Sequence, residues 1–447
     1  MRITLFFSAL LLYISAFSQN VGIGTANPVF KLDVRNGSIN TDSVYRIGGS
    51  TILSVRNSSN LLIGHLVGLS VTGTDNALAG YQAGYSLTTG SDNCFYGSGA
   101  GYYNITARAN SFFGAYSGYL NDGNFNSFFG NNAGTNNNTG FGNSFFGQAA
   151  GYANTTGWYN SFFGREAGYS NSTGNYNSFF GDQSGFSNTT GLSNSFFGDQ
   201  SGFSNTTGLS NSFFGISAGS FNISGNNNVA LGLNSLRANT TGSNNTALGV
   251  YADVGSGELT NAMAIGYNAH VNANNKIRLG NGAVTAIEGQ VAYTFPSDGR
   301  FKTNVTETVK GLDFIMKLRP VVYNFQASKM DAFISGKTAA DARFASLNYT
   351  EIESMRQSGF IAQEVEQAAK ATGYDFNGVV IPKNEKGIYS LAYSQFVVPL
   401  VKSVQEQQEM IEKLHTIIEQ QNTIIEQQNK KIEFQGKEIT LIKERVR

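Results

Sequence analysis

The motif NSFFG recurs with its serine at 111, 127, 144, 161, 178, 195 and 212, in one step of 16 and then five of 17. Weaker forms keep the register on both sides: NALAG (Ala77) and NCFYG (Cys94) before it, NVALG (Val229), NTALG (Thr246) and AMAIG (Met263) after it. Residues 179–195 and 196–212 are identical, FFGDQSGFSNTTGLSNS. A fixed short period is the signature of a β-solenoid, because each repeat buries its apolar face only against the next. Every repeat supplies a Phe-rich strand, a small-residue segment such as AGY or SGF, and an NTTG turn whose Gly and Asn suit tight corners. At about 4.8 Å per coil the array makes a rod on the order of 60 Å long.

Neighbouring strand residues point to opposite faces, so Phe112 and Phe113 cannot both enter one coil. One Phe of each pair is expected inside. The other is expected in a continuous apolar stripe outside, covered by partner chains.

Chemistry is sparse in this array. The 447 residues carry 30 basic and 30 acidic side chains, 13% charged in all, so nothing favours nucleic acid or anionic lipid as a partner. Between residues 60 and 290 the carboxylates are Asp75, Asp92, Asp122, Glu166, Asp182, Asp199, Asp253, Glu258 and Glu288. A glycan-cleaving site needs two carboxyls within several ångströms. Asp182 and Asp199 occupy equivalent places in the duplicated repeats, where solvated corners account for them. His65 and His270 lack metal-ligand spacing, so neither a metal nor a cofactor is expected. The Thr pairs fall in Asn/Gly turns and read as turn hydrogen bonds rather than an ice-binding ladder. The Asn-x-Ser/Thr triplets follow from composition alone. Cys94 is the one cysteine, so no internal disulfide is available.

The opening MRITLFFSALLLYISAFSQN reads as a secretory signal peptide, residues 1–18, cut before Gln19. It places the chain outside the cell or at its surface, and no later segment is long and apolar enough to span a bilayer. Residues 19–59, with NVGIGTANPVFKLDV and YRIGGSTILSV, suit a small β cap or shaft entry.

Read by sevens from Val397, positions 404, 411, 418, 425, 432, 439 and 446 are Val, Ile, Ile, Ile, Ile, Ile and Val. The intervening layers are Leu400, Gln407, Leu414, Gln421, Gln428, Gln435 and Ile442. An unbroken β-branched position of this kind predicts a parallel coiled coil on the order of 75 Å long. The wet Gln layers, with Ile417 and Ile424 beside the seam, widen it toward a trimer.

Between array and coil lie SDGRFKTNV (297–305), GLDFIMKLRPVVYNF (311–325), SGFIAQEVEQ (358–367) and YSLAYSQFVVPLVKSVQEQQ (389–408). Together these blocks resemble the peptidase S74 domain, the intramolecular chaperone at the C-terminus of phage endosialidases and tail spikes. The resemblance covers about residues 296–408. It implies a domain that trimerises the chain, guides folding of the fibre before it, and cuts itself off through a Ser-Lys dyad. Carried over by position, Ser297 is the nucleophile and Lys302 the general base. Phe301 stands where the family motif usually has Leu.

The chemistry behind such a dyad is general. Serine is inert until a neighbour takes its proton, and a lysine does so only when burial or a nearby cation destabilises its ammonium. Arg300 is the expected cation and Asp298 the residue that orients the loop. A five-residue separation does not share one helix face, so the pair meets across the Asp298-Gly299 turn or between chains. The array itself resembles the stacked β-roll heads of trimeric surface adhesins, with a longer repeat and no C-terminal membrane barrel. The VGIGT…P…LDV opening is similar to bacterial proteins of tail-fibre-like architecture.

The expected organisation is a mainly β cap (19–59), a β-solenoid (60–270), a β neck (271–295), an α+β chaperone domain (296–408) and a coiled coil (397–447). Residues 326–357 read as a polar, partly helical arm reaching along the fibre. The function these readings point to is an exported homotrimeric fibre or adhesin-like protein, matured by one self-cleavage and presented to a surface glycan or receptor. The alternatives are a structural fibre that trimerises without cutting and, disfavoured, a fibre-borne glycan hydrolase.

Overall fold

A computed structural model describes residues 21–23, 25, 32–34, 44–57, 59–336, 347–385 and 387–446. Residues 1–18, expected to be a signal peptide, most of residues 19–43 and the centre of the 326–357 stretch lie outside the described residues. The chain divides into two compact units, residues 1–139 and 140–447.

In the first unit, Val44–Ile47 and Ser50–Arg56 form a hairpin across Gly48-Gly49, and Ser50–Arg56 pairs antiparallel with Asn60–Ile63. From there the ladder turns parallel, Leu62 facing Leu78, Leu78 facing Phe95, Phe95 facing Phe112 and Phe112 facing Phe128. The 16-residue step is absorbed in a turn, not in the strand. Where other repeats have Asn-Thr-Thr-Gly, this one has Asn121-Asp122-Gly123, and Asp122 Oδ1 accepts from the backbone N–H of Ile105, Thr106 and Ala107 at 2.8–3.1 Å.

The second unit is built from the same kind of coil. Ser144, Ser161, Ser178, Ser195, Ser212, Val229, Thr246 and Met263 sit in register on successive parallel strands. The strands from Ser144 to Leu248 are three residues long, the last of the series, Ala262–Ile265, has four, and each closes with a Gly at positive φ, +143° at Gly164 and +111° at Gly266. At Gly164 a Cβ would lie 2.2 Å from the Gly181 carbonyl of the next coil, so nothing larger fits. The β-solenoid ends at strand Lys276–Leu279, inside the segment expected to be a neck; from Gly280 to Asp298 no strand forms.

The Phe pairs divide as the two-residue strand period requires. Phe145, Phe162, Phe179, Phe196 and Phe213 are fully buried, stacked at 4.8–5.0 Å and nearly parallel. Phe146, Phe163, Phe180 and Phe197 form an outer, half-buried stack at 4.6–4.7 Å. The ring spacing is the strand spacing, so the backbone ladder dictates it.

Asparagine plays a different part from the one its turn preference suggests. The Asn before each strand is fully buried: Asn160 Nδ2 donates to Gly174 O at 2.8 Å, and its Oδ1 accepts from Asn177 N at 3.0 Å. A second buried ladder links Asn154, Asn171, Asn188, Asn205, Asn222 and Asn239 at 2.7–2.8 Å. Each amide is satisfied by its counterpart one coil away, which is what lets a polar group stay in a dry core. The Thr side chains do make the turn bonds expected of them, Thr189 Oγ1 donating to Thr206 O at 3.0 Å.

Beyond the solenoid, helix α1 (Leu312–Ile315) precedes strand Val321–Asn324, which pairs antiparallel with Arg356–Gly359. Helix α2 (Ala327–Ser335) lies between those strands. Helix Ala362–Thr372 and a 49-residue helix, Val397–Arg445, complete the region. Phe314, Val365, Ala368, Ala369, Phe376 and Phe396 form its core. No helix among the described residues is long and apolar enough to cross a membrane.

Candidate functional site

The SDGRFK stretch folds as a single turn. Asp298 is extended (φ −73°, ψ 125°) and its Oδ1 accepts from Arg300 N at 2.9 Å, starting a 3-10 turn over Gly299–Phe301. Lys302 N closes the turn on Gly299 O at 3.1 Å. The chain leaves it extended, with Ser297 and Lys302 on the same side. Lys302 Nζ donates to Ser297 Oγ at 2.8 Å. Of the two routes left open by a five-residue spacing, contact across the turn is the one this chain adopts.

The Asp298 carboxylate faces the backbone of its own turn. Arg300, the expected cation beside Lys302, turns its Nε and Nη2 to the Asp298 carboxylate at 2.9 and 2.6 Å. That hydrogen bonding holds the Asp298 carboxyl below its usual range and raises Arg300. Within one chain Ser297, Asp298, Arg300 and Lys302 are all exposed. The neighbouring large side chains are exposed too: Tyr293 at 77%, Phe295 at 74% and Phe301 at 83%.

Three of the four sequence blocks, 311–325, 358–367 and 389–408, are held together by specific contacts. Arg319 grips Glu364 through two hydrogen bonds, Nε to Oε2 being 3.0 Å. Asn324 Nδ2 donates to the carbonyls of Glu353, Ser354 and Met355. Phe360 N donates to Tyr393 Oη at 3.1 Å, and at Gly359 a Cβ would lie 2.2 Å from that oxygen. Glu406, on the long helix, accepts from Leu312 N at 2.7 Å, and Gly311 leaves room for it.

After the parallel solenoid the chain forms an α+β module with a long terminal helix. That module is a peptidase S74 domain: residues 297–374 match the family model described as the chaperone of endosialidase. The match begins at Ser297 itself. Its end at residue 374 is not where the packing ends, because Phe376 packs on Phe314 at a ring spacing of 5.0 Å and Phe396 packs on Phe376 at 4.8 Å. No curated protein and no solved structure matches the chain.

The remaining candidates in the array have structural partners. Asp182 pairs with Arg165 at 2.8 Å, and Glu166 with the same Arg165 at 3.0 Å. Asp253 is buried and accepts from the backbone of Ala238 and Val254. His65 stacks on Tyr81, and His270 Nδ1 is 3.0 Å from Asn268 O. Burial pushes the Cys94 thiol up, away from reactivity. Among the described residues no three His, Cys, Asp or Glu side chains cluster as a metal site.

Sequence reading missed Asp331 of α2 and Glu406. Asp331 shares a helix face with Ala327 and Ile334, at spacings of four and three, which is the signal that could have found it.

Proposed function

We propose that this is an exported homotrimeric fibre protein whose S74 domain gathers three chains, assists folding of the solenoid, and then cuts the chain once at Ser297. The observation that carries the reading is the 2.8 Å contact of Lys302 Nζ with Ser297 Oγ at the first residues of the family match. In the reaction, Ser297 Oγ attacks a backbone carbonyl while Lys302, as a neutral amine, takes the hydroxyl proton. That proton passes to the departing amide nitrogen, and water then hydrolyses the ester.

Neutral lysine requires a desolvated site, and one chain leaves it wet. Other copies supply the cover. The long helix exposes Val404, Ile411, Ile418, Ile425, Ile432 and Ile439 at 51–64%, on one heptad stripe. A helix with such a stripe buries it against its own kind. Packing three copies there brings the exposed Tyr293, Phe295 and Phe301 of each chain together around the Ser-Lys pairs, so scission reports assembly. The outer Phe stripe of the array is a further surface for the same partners.

Intact mass of the chain lacking residues 1–18, beside Ser297→Ala and Lys302→Ala, tests the cut. Two fragments in the parent and one chain in each variant support it. The full exposure of the pair favours a second reading, a trimerisation domain that stays attached. A single uncut mass in all three, with trimers by light scattering, would establish that reading instead.

A further inference from the structure

Helix α2 follows Ser297 in sequence but packs on residues that precede it. Asp331 Oδ2 accepts from Gly282 N at 2.6 Å and from Tyr349 Oη at 3.0 Å, while Oδ1 accepts from Arg278 Nη2 at 3.2 Å. Both ionic partners are largely buried, with side-chain exposures of 19% for Arg278 and 8% for Asp331. Ala327 and Ile334, on the same helix face, are each 1% exposed. The approach is close enough to need glycine on the solenoid side. A Cβ at Gly282 would lie 2.6 Å from Asp331 Oδ2, and one at Gly255 would lie 3.1 Å from Ile334 O. A separate tether joins Asn384 Nδ2 to Asn272 O at 3.1 Å.

A solenoid's last coil lacks the next coil that would cover its core, so it needs a cap. α2 sits where that cap is required. The covalent link between cap and coil contributes little adhesion by comparison: Val291, Tyr293 and Phe295 are 74–82% exposed. We infer that α2 and the Asn384 segment form a docking surface for the C-terminal end of this chain's own solenoid, and that a chain severed at Ser297 keeps its two pieces bound through it. The severed domain remains as the solenoid's cap. Its retention rests on the scission reading; the docking surface does not.

The test uses an added protease, so it runs whether or not the chain cuts itself. In the full chain with Ser297→Ala, a specific protease site replaces the exposed residues 288–293, and the folded protein is cut and gel-filtered at micromolar and nanomolar concentration. Both pieces are expected in one peak. In Asp331→Ala the pieces part at a concentration at least tenfold higher than in the parent. Gly282→Ala, which puts a methyl group into the Asp331 carboxylate from the solenoid side, gives the same result if Asp331→Ala fails to fold. Immediate separation in the parent, or retention unchanged in both variants, would overturn the inference. Self-cutting without retention, or retention without self-cutting, tells which of the two readings has failed.

Discussion

The solenoid coils of the second unit and the region after Gly280 handle the same problem in opposite ways. In the coils, the stacked buried Phe and the laddered Asn meet their counterparts one repeat away, so neighbouring coils complete one another. After Gly280, large apolar side chains of the link and of the long helix face water, and the hydrogen-bonded Ser297 and Lys302 are both exposed. Repetition within a chain substitutes for partners in the first region. In the second, the partners we propose are other copies. The difference teaches where substitutions act: on stability in the coils, on assembly and chemistry beyond them.

The most severe way to break the contrast is at the long helix. Ile418→Lys with Ile425→Lys is expected to abolish both the oligomer and scission while leaving the solenoid's β-type circular dichroism intact. Sedimentation and intact mass read the two losses; scission surviving in a monomer would sever the tie between assembly and cutting. Next comes the coil interior. Phe179→Ala should cost about 3–5 kcal/mol, whereas Phe180→Ala, on the half-buried stack, should cost clearly less in a monomeric variant and more in the oligomer. Equal costs in both states would mean that nothing covers the outer stripe.

A smaller effect is expected at the buried amides. Asn177→Ala leaves the partners of one coil unpaired and should cost roughly 1–3 kcal/mol, against under about 0.5 kcal/mol for the exposed Thr190→Ala; urea unfolding compares them. The smallest effect is electrostatic. Hydrogen bonding to Arg319 holds the Glu364 carboxyl below its ordinary value of 4.5. Such a group contributes stability that is present above that value and lost as pH falls through the lowered one. Glu364→Gln should therefore melt slightly lower than the parent at neutral pH, and the two should converge in acid.

Much of this was legible in the sequence, and the exceptions have physical causes. The period, the inside-outside division of the Phe pair and the turn at Asp298-Gly299 all follow from local geometry. The buried Asn ladders did not, because Asn is equally at home in a turn, and only stacking shows which carbonyls satisfy it. Arg300 was assigned to Lys302, but Asp298 is two residues away and captures it first. The α2 cap was hidden by Asp331, since a carboxylate reads as solvent-facing until its buried partner, Arg278, is known from the fold. Glu406 is 94 residues from the amide it accepts, beyond any local pattern.

The second Asn ladder has a consequence for how this chain can be made. Asn154, Asn171, Asn188, Asn205, Asn222 and Asn239 each begin an Asn-x-Ser/Thr acceptor sequence for N-linked glycosylation, and each is fully buried. A glycan on any of them has no room once the coil has closed, so oligosaccharide transfer and folding exclude one another. In a eukaryotic secretory host every sugar attached ahead of folding would become a coil that cannot stack, and the rod would stop at that point.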